Sequence, residues 1–304
     1  MIETRPFVSA ARASARVALV TCAELTDLDP DDRLLAEALA ARGMVAEPAV
    51  WDGPVDWAGY DLVVLRSPWD YPARHADFLA WARSVPRLAN SADVIRWNTD
   101  KRYLRELAAA GVPTVPTSWI EPTDDWRPGT GGEIVIKPAI GAGGIDTGRY
   151  DLATHRSLAV AHVARLQAAG RLVMIQPYLP GVDSAGETAL LFFAGRYSHA
   201  IRKGPVLVGP DFGVDGLYRR EQISTREPSA AEHALATRVL GALPVPASEL
   251  LYARIDLVPG PSGDPVLIEL ELTEPSLFLA TSDGAAGRLA EQLALRSLAA
   301  SPTG

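Results

Sequence analysis

The sequence predicts a mixed α/β fold (α/β with α+β parts): an open, largely parallel α/β unit first, then two α+β units. Three observations predict it. Apolar strands alternate with amphipathic helices over residues 15–90. A middle stretch mixes helices and strands around a glycine-rich loop. The last third carries paired apolar runs joined by short turns, the pattern of antiparallel sheet. A chain of 304 residues is too long for one small core. The expected divisions are 1–95, 96–179 and 180–304.

In the first unit, "ARVALVT" (15–21) is a strand. Cys22 follows it as the sole cysteine, so no intramolecular disulfide can form; a small buried residue in a reducing cytosol is expected. "DPDDRLLAEALAARGM" opens on Asp and Pro, runs at helical spacing and stops at Gly43. "VAEPAVWD" and "YDLVVLRSPWDY" give two strands, and "ARHADFLAWARSV" a helix. Ahead of these, "MIETRPFVSAARASARVALV" has the Arg, Ala and Ser of a targeting peptide. Arg12 and Arg16 break its apolar run and no cleavage signal ends it, so a loose tail is expected. No run of about 20 apolar residues suits a membrane span. Composition is that of a soluble globular protein, 48% hydrophobic and 22% charged, and a net charge of −8 argues against a general nucleic-acid surface. The expected setting is cytoplasmic, with small-molecule partners, no nucleic acid and no membrane, and with self-association left open.

The middle unit starts near "WNTDKRYLRELAAAGVPTVPTSWI", with a helix expected from Thr99 to Ala110 that stops at Gly111. "PTDDWRPGTGG" is loop, 133–137 a strand, 152–169 a helix and "RLVMIQPYL" a strand. In the last unit "TALLFFAGRYSHAIRK" is a hairpin turning at Ala194-Gly195, and "LLYARIDLV" and "PVLIELEL" flank the turn "PGPSGDP". Helices over 229–241 and 284–299 cover this sheet.

Chemistry concentrates in two places. "IVIKPAIGAGG" ends a strand on Lys137 and runs into Gly141, Gly143 and Gly144. Bare backbone N–H groups beside a lysine suit phosphates. The dinucleotide pattern from Gly141 fails at Asp146, and a P-loop from Gly143 meets Arg149 and Tyr150 where Lys and Ser/Thr are needed. Lys101 lies 36 positions before Lys137 in the same expected unit, so the two can grip a polyphosphate between them. Read alone, the loop is also an ordinary flexible turn and Lys101 an exposed helix lysine.

The second place is the C-terminal hairpin. By strand alternation Arg254 and Asp256 share one face, and Glu269 and Glu271 share one face of the next strand. Ala253, Ile255 and Leu257, with Ile268, Leu270 and Leu272, take the core side. Two like charges about 4 Å apart repel by roughly 4 kcal/mol at an effective dielectric near 20, so one arginine cannot offset three acids. A hard divalent cation can, and oxygen donors in this number suit Mg²⁺ held with substrate phosphates. A solvated strand face of mixed charge is the plain alternative.

In their order, "NTDKRYL", "IVIKPAIGAGG", "MIQPYLPG", "AGETALLFF", "RIDLV" and "ELELTEP" resemble the ATP-grasp superfamily from about Asn98 to the end, nearest its glutathione-synthetase-like branch. The resemblance implies an ATP-grasp fold with an N-terminal α/β domain and two α+β subdomains clasping the nucleotide. It implies that Lys101 and Lys137 contact phosphates and that the Gly141–Gly144 loop closes over them. Gln176, Tyr178 and Leu179 would frame adenine, and Glu187, or else Asp183, would hold the ribose. Asp256, Glu269 and Glu271 would bind Mg²⁺; relatives usually carry Asn where Glu271 stands, so this chain adds a negative charge there. Such ligases phosphorylate a carboxylate with ATP and let an amine attack the acyl phosphate, by alignment and charge neutralisation.

For the substrate, Arg66 ends the strand "LVVLRS", where parallel sheets collect ligands, and Asp70 in "RSPWDY" could meet an amine. A mutual salt bridge of Arg66 and Asp70 is the plain alternative. Arg202, Lys203 and Arg254 on the C-terminal sheet suit a substrate carboxylate, with Arg202 and Arg254 the expected catalytic cations. His199, on "YSHAIRK", is a candidate to face the site; the other four histidines are expected at ordinary helix or surface positions. "RSPWDYPARHADFLAW" and "ELELTEPSLFL" resemble a narrower bacterial group that includes a cyclo-ligase closing O-ureido-serine to cycloserine. That resemblance implies cyclisation of O-ureido-D-serine. A peptide-forming ligase, a hydroxyl kinase and an ATP-binding sensor are the rival readings.

Overall fold

The computed structural model describes residues 14–299 apart from 206, 208, 212, 214–216, 219 and 220. The expected N-terminal tail lies almost wholly outside them. The first sheet holds β1 (Arg16–Thr21), β2 (Val45–Val50), β3 (Leu62–Ser67) and β4 (Leu88–Ala89), in the order β2-β1-β3-β4 and parallel throughout. The expected parallel unit is therefore present. Helix α1 (Pro30–Ala40) starts as "DPDD" predicts: Pro30 occupies the first turn and the Asp29 side chain accepts from the Asp31 N–H at 2.9 Å. α1 covers Val17, Leu19, Leu62 and Val64 on one face of the sheet. Helix α2 (His75–Ser84) and the rings of Trp51, Tyr71 and Phe78 cover Ala18, Val20, Val63 and Leu65 on the other. With both faces buried, the strands need continuous apolar runs. Cys22 is buried at the end of β1, as expected.

The helix expected over Thr99–Ala110 is α4 (Tyr103–Ala109), which starts four residues later than expected, and it is preceded by a helix that was not expected, α3 (Ala92–Asn98). The interval is a set of caps. The Thr99 hydroxyl donates to the Ile95 carbonyl at 2.9 Å, and the Asp100 carboxylate accepts from the Arg102 N–H at 3.0 Å. Short polar side chains compete here with the helical ladder and win. The start of α3 was legible in Ser91, whose side chain accepts from the Val94 N–H.

A second sheet, antiparallel in the order β5-β8-β6-β7, contains β5 (Ser118–Ile120), β6 (Glu133–Pro138), β7 (Gly148–Asp151) and β8 (Val173–Pro177). Helix α5 (Arg156–Ala168) covers it through Ala159, Val163 and Leu166. His162, expected at an ordinary helix or surface position, is buried on α5 and shares a 2.7 Å hydrogen bond with the Tyr150 hydroxyl; burial pulls its pKa down.

After the short helix α6 (Gly181–Ala185) comes the third sheet: β9 (Glu187–Phe193), β10 (Arg196–Lys203), β11 (Ile223–Thr225), β12 (Tyr252–Pro259) and β13 (Pro265–Glu271). Its order is β11-β10-β9-β12-β13, antiparallel throughout. The β9–β10 turn falls at Ala194-Gly195 as predicted, with φ of +48° and +73° there. Ala189, Leu191 and Phe193 pack into one core with the first sheet, α1 and α8 (Ala285–Ala299). Leu190 and Phe192 pack on the other face with α4 and α7 (Ala230–Gly241). α4 thus belongs to the core of the third sheet, although the second sheet follows it in sequence.

A bulge corrects one expected core face. Asp256 pairs with Glu269, but Leu257 pairs with Leu267, so Ile268 has no partner. Leu267, fully buried, joins Leu270 and Leu272 in the core, while Ile268 turns toward a cleft between the second and third sheets.

Arg66, expected to meet substrate, lies beneath the cleft. Its side chain is 2% exposed; it pairs with Asp32 at 2.7 Å and donates to the Pro275 carbonyl at 3.0 Å. Arg66→Ala strands Asp32 as a buried charge and should cost about 3–5 kcal/mol of folding free energy. Urea unfolding checks this, and an unchanged midpoint would refute it.

Candidate active site

The cleft has a cavity volume of about 500 Å³, a size suited to small-molecule sites. One of its walls comes from the break between α3 and α4. Lys101 sits in that break, and its own N–H donates to the Ala139 carbonyl just beyond β6, at 2.9 Å. The backbone link draws it toward Lys137 at the end of β6. On the opposite side Asn98 and Tyr103 hold β13 in place. The Asn98 amide donates to the Leu270 carbonyl at 2.8 Å and its oxygen accepts from the Leu272 N–H at 2.7 Å. The Tyr103 hydroxyl accepts from the Leu270 N–H at 2.9 Å. Glu269 and Glu271 alternate with Leu270 and so face the cleft that both lysines line.

The charges are unequally matched. Lys101 lies 3.1 Å from Glu269 and donates to the Gly141 carbonyl at 2.9 Å. Burial opposes its charge, but Glu269 offsets that and holds the ammonium above its ordinary range. Lys137 has no carboxylate within 4.0 Å among the described residues. Burial, helped by the like charge of Lys101, pulls its ammonium below the ordinary range. Lys203 lies 2.6 Å from Asp256, and Arg254 bonds both Asp256, at 2.9 Å, and Glu271. Burial and neighbouring acids push Glu187 and Glu271 up to about 7 and Glu274 to about 8. A site with one unmatched ammonium on one wall and several strained carboxyls on the other favours a polyanion against the first and a cation against the second.

Of the residues singled out from sequence, the cleft brings together Lys101, Lys137, Gly141, Gly143 and Gly144. It also gathers Gln176, Tyr178, Leu179 and Glu187 with Lys203, Arg254, Glu269 and Glu271. Val115, Leu179, Val182 and Val258, with Tyr178 and Ile268, form an apolar slot at one end. Gly143 and Gly144 have φ of +62° and +69°, and a Cβ on Gly143 would stand 2.4 Å from the Leu217 carbonyl oxygen. Gly143→Val therefore displaces the loop, and kcat should fall about a hundredfold; unchanged steady-state kinetics would reduce the loop to a turn.

Six expected residues do not line the cleft. Arg66 is the buried partner of Asp32. Asp70 accepts from the Trp51 indole at 2.8 Å and pairs with Arg74 one turn on, so it has no room for a substrate amine. The Arg202 guanidinium donates to the Ala185 and Ser184 carbonyls at 2.6 and 3.0 Å, capping the end of α6. His199 is buried against the Leu277 carbonyl at 3.0 Å, and burial lowers its pKa. Asp183 is bound by Arg149 at 3.1 Å and by the Tyr178 hydroxyl, which leaves Glu187 as the carboxylate at the cleft wall. Asp256 is enclosed by Lys203 and Arg254. Among the described residues no three carboxylate, His or Cys side chains are grouped to hold a metal. The expected three-acid set is thus reduced to Glu269 and Glu271, two hard oxygen donors facing the cleft, which is the number Mg²⁺ takes from protein when phosphates supply the rest.

Sequence reasoning missed Trp69, Tyr71, Glu274, Ser276 and Phe278, which line the end of the cleft nearest the first sheet. They belong to "RSPWDY" and "TEPSLF"; the aromatic and glutamate members face the cavity and Arg66 and Asp70 do not.

Two antiparallel sheets closing on a nucleotide-sized cleft, with a parallel unit completing its far end, are the architecture of the ATP-grasp ligases. The profile of the D-cycloserine synthetase DcsG N-terminal domain matches residues 17–90. The cycloserine biosynthesis protein DcsG of Streptomyces lavendulae is 41% identical over 303 residues, which span 92% of this chain and 98% of that one. The chain belongs to this DcsG family of ATP-grasp ligases, and it is an ATP-dependent carbon–nitrogen ligase. A crystal structure of D-cycloserine synthetase DcsG covers 93% of the chain and all of its own, at 39% identity and a TM-score of 0.82. D-alanine–D-alanine ligase from Bacillus anthracis shares the fold at 15% identity and a TM-score of 0.63, covering 94% and 98%. Among the described residues no helix is long and apolar enough to cross a membrane.

Proposed function

We propose that the enzyme closes O-ureido-D-serine to D-cycloserine, spending ATP to ADP and phosphate and releasing the carbamoyl group as CO2 and ammonia. The observation that carries the reading is a continuous cleft whose second end, beside Trp69, Tyr71 and Phe278, is aromatic-walled. Ring closure needs one pocket because one molecule supplies both the carboxyl and the nitrogen. The name of the 41% identical relative supports cycloserine as the product.

In this mechanism the apolar slot of Leu179, Val182 and Ile268 takes adenine and Glu187 the ribose. Lys101 and Lys137 meet the phosphates. Glu269 and Glu271 would hold Mg²⁺, which when bound neutralises charge on the transferring phosphoryl group. Arg254, between Asp256 and Glu271 and lining the cleft, orients the substrate carboxylate toward the terminal phosphorus. Lys203 keeps Asp256 and Arg254 in register. The chain's contribution is alignment and fixed charge, so no covalent nucleophile is required.

Phosphate release and product mass, followed together with Mg-ATP and both enantiomers of O-ureido-serine, test this. The expected result is ADP, phosphate and a cyclic product from the D form. AMP with pyrophosphate, or phosphate release only with an added external amine, would overturn it.

A further inference from the structure

We propose that Glu274 is the general base of ring closure, taking the proton of the attacking nitrogen while Tyr71 holds its carboxylate. The proposal rests on the ring-closing reading above. Five glutamates line the cleft. Four have a cation nearby: Glu269 has Lys101 at 3.1 Å, Glu271 has Arg254, and Glu187 and Glu221 have Lys203 at 4.0 and 3.8 Å. Glu274 has no Lys or Arg within 4.0 Å among the described residues. Tyr71, which is 2% exposed, lines the same cavity and interacts electrostatically with Glu274.

The backbone around Glu274 is pinned on both sides. The Tyr252 hydroxyl donates to the Thr273 carbonyl at 2.9 Å, the Trp69 indole to the Glu274 carbonyl at 3.2 Å, and Arg66 to the Pro275 carbonyl at 3.0 Å. The carboxylate is therefore presented from a rigid loop. The groups facing it are Glu271 and Glu269 from β13, Lys101 from the α3–α4 break, Tyr71, and Tyr252 from β12. Burial of the carboxyl in the cavity wall raises its proton affinity toward that of a base working near neutral pH.

The step balances. The ureido nitrogen attached to oxygen attacks the acyl phosphate carbon and a C–N bond forms. The C–O bond to phosphate breaks and phosphate leaves with the electron pair. The nitrogen's proton passes to Glu274, which returns it to water after the product departs. The ring nitrogen still carries the carbamoyl group; water attacks that carbonyl, the carbamoyl C–N bond breaks with its electron pair and a proton going to the ring nitrogen, and CO2 and ammonia leave, giving cycloserine. Phosphorylation of the carboxylate comes first and needs no base, because that group is already ionised. Glu274 therefore acts on the second half-reaction alone.

The two half-reactions separate with hydroxylamine, a nucleophile that traps acyl phosphate as a hydroxamate. With Mg-ATP and O-ureido-D-serine, Glu274→Gln should form ring product at least about a hundredfold more slowly, while hydroxamate forms at the parent rate and the KM for ATP is unchanged. Tyr71→Phe should show the same split with a smaller loss. Ring formation by Glu274→Gln at the parent rate would overturn the proposal. So would equal loss of ring and hydroxamate with a raised KM for the amino acid, the signature of an ammonium-binding residue. A parent enzyme that forms no ring from this substrate would refute the ring-closing reading, and the base role with it; that failure is visible without any variant.

Discussion

Lys137→Ala should release phosphate at about a hundredth of the parent rate or less, the scale for removing one preorganised charge from a transition state. Its thermal midpoint should stay where it was or rise slightly. Lys137 is buried, its ammonium is held below the ordinary range by burial and by Lys101, and it has no carboxylate within 4.0 Å among the described residues. The folded protein bears the cost of that charge and gains nothing from it until a polyanion enters. Phosphate release and a melting curve on the same preparation check both halves. Normal phosphate release would remove Lys137 from the site.

Glu269→Ala should abolish phosphate release as fully, but with a companion loss of stability of about 3 kcal/mol. That is the low end for breaking a buried pair, because Lys101 keeps its bond to the Gly141 carbonyl. The sign follows from the shifts. Lys101 is held above its ordinary value, so its contribution is complete at neutral pH and is lost as pH rises through the raised value. Burial works against the Glu269 carboxylate, but Lys101 and Lys137 more than offset it. Its pKa lies below the ordinary value, and its contribution is lost as pH falls through the lowered one. Parent and variant should therefore differ most near neutrality and converge in acid and in alkali. Urea unfolding at three pH values measures this, and a difference independent of pH would contradict the pairing.

The contrast between these lysines shows what a sequence exposes. Lys137 and the alternating Glu269 and Glu271 were legible because strand alternation is local and each sits where its two-residue period places it. Ile268 was misread at the one point where a bulge interrupts that period. Lys101 was found but set in a helix, because capping by Thr99 and Asp100 competes with helix on nearly equal terms. Arg66 and Asp70 were misassigned for a different reason. Their fates depend on what packs over the strand end: the loop at Pro275, 209 positions away in the case of Arg66, and the Trp51 indole for Asp70. No local pattern carries that information, so the substrate end of the cleft had to be read from the fold.

One core holds the inner face of the parallel sheet, Leu191 and Phe193 of β9, and helices α1 and α8. The nucleotide-gripping portion therefore has no independent existence. Cutting away the first ninety residues would bare an aliphatic and aromatic surface to water, and such a fragment is expected to clump before it could bind anything. Anyone transplanting this catalyst's pocket onto another scaffold must carry the leading segment along as its missing wall.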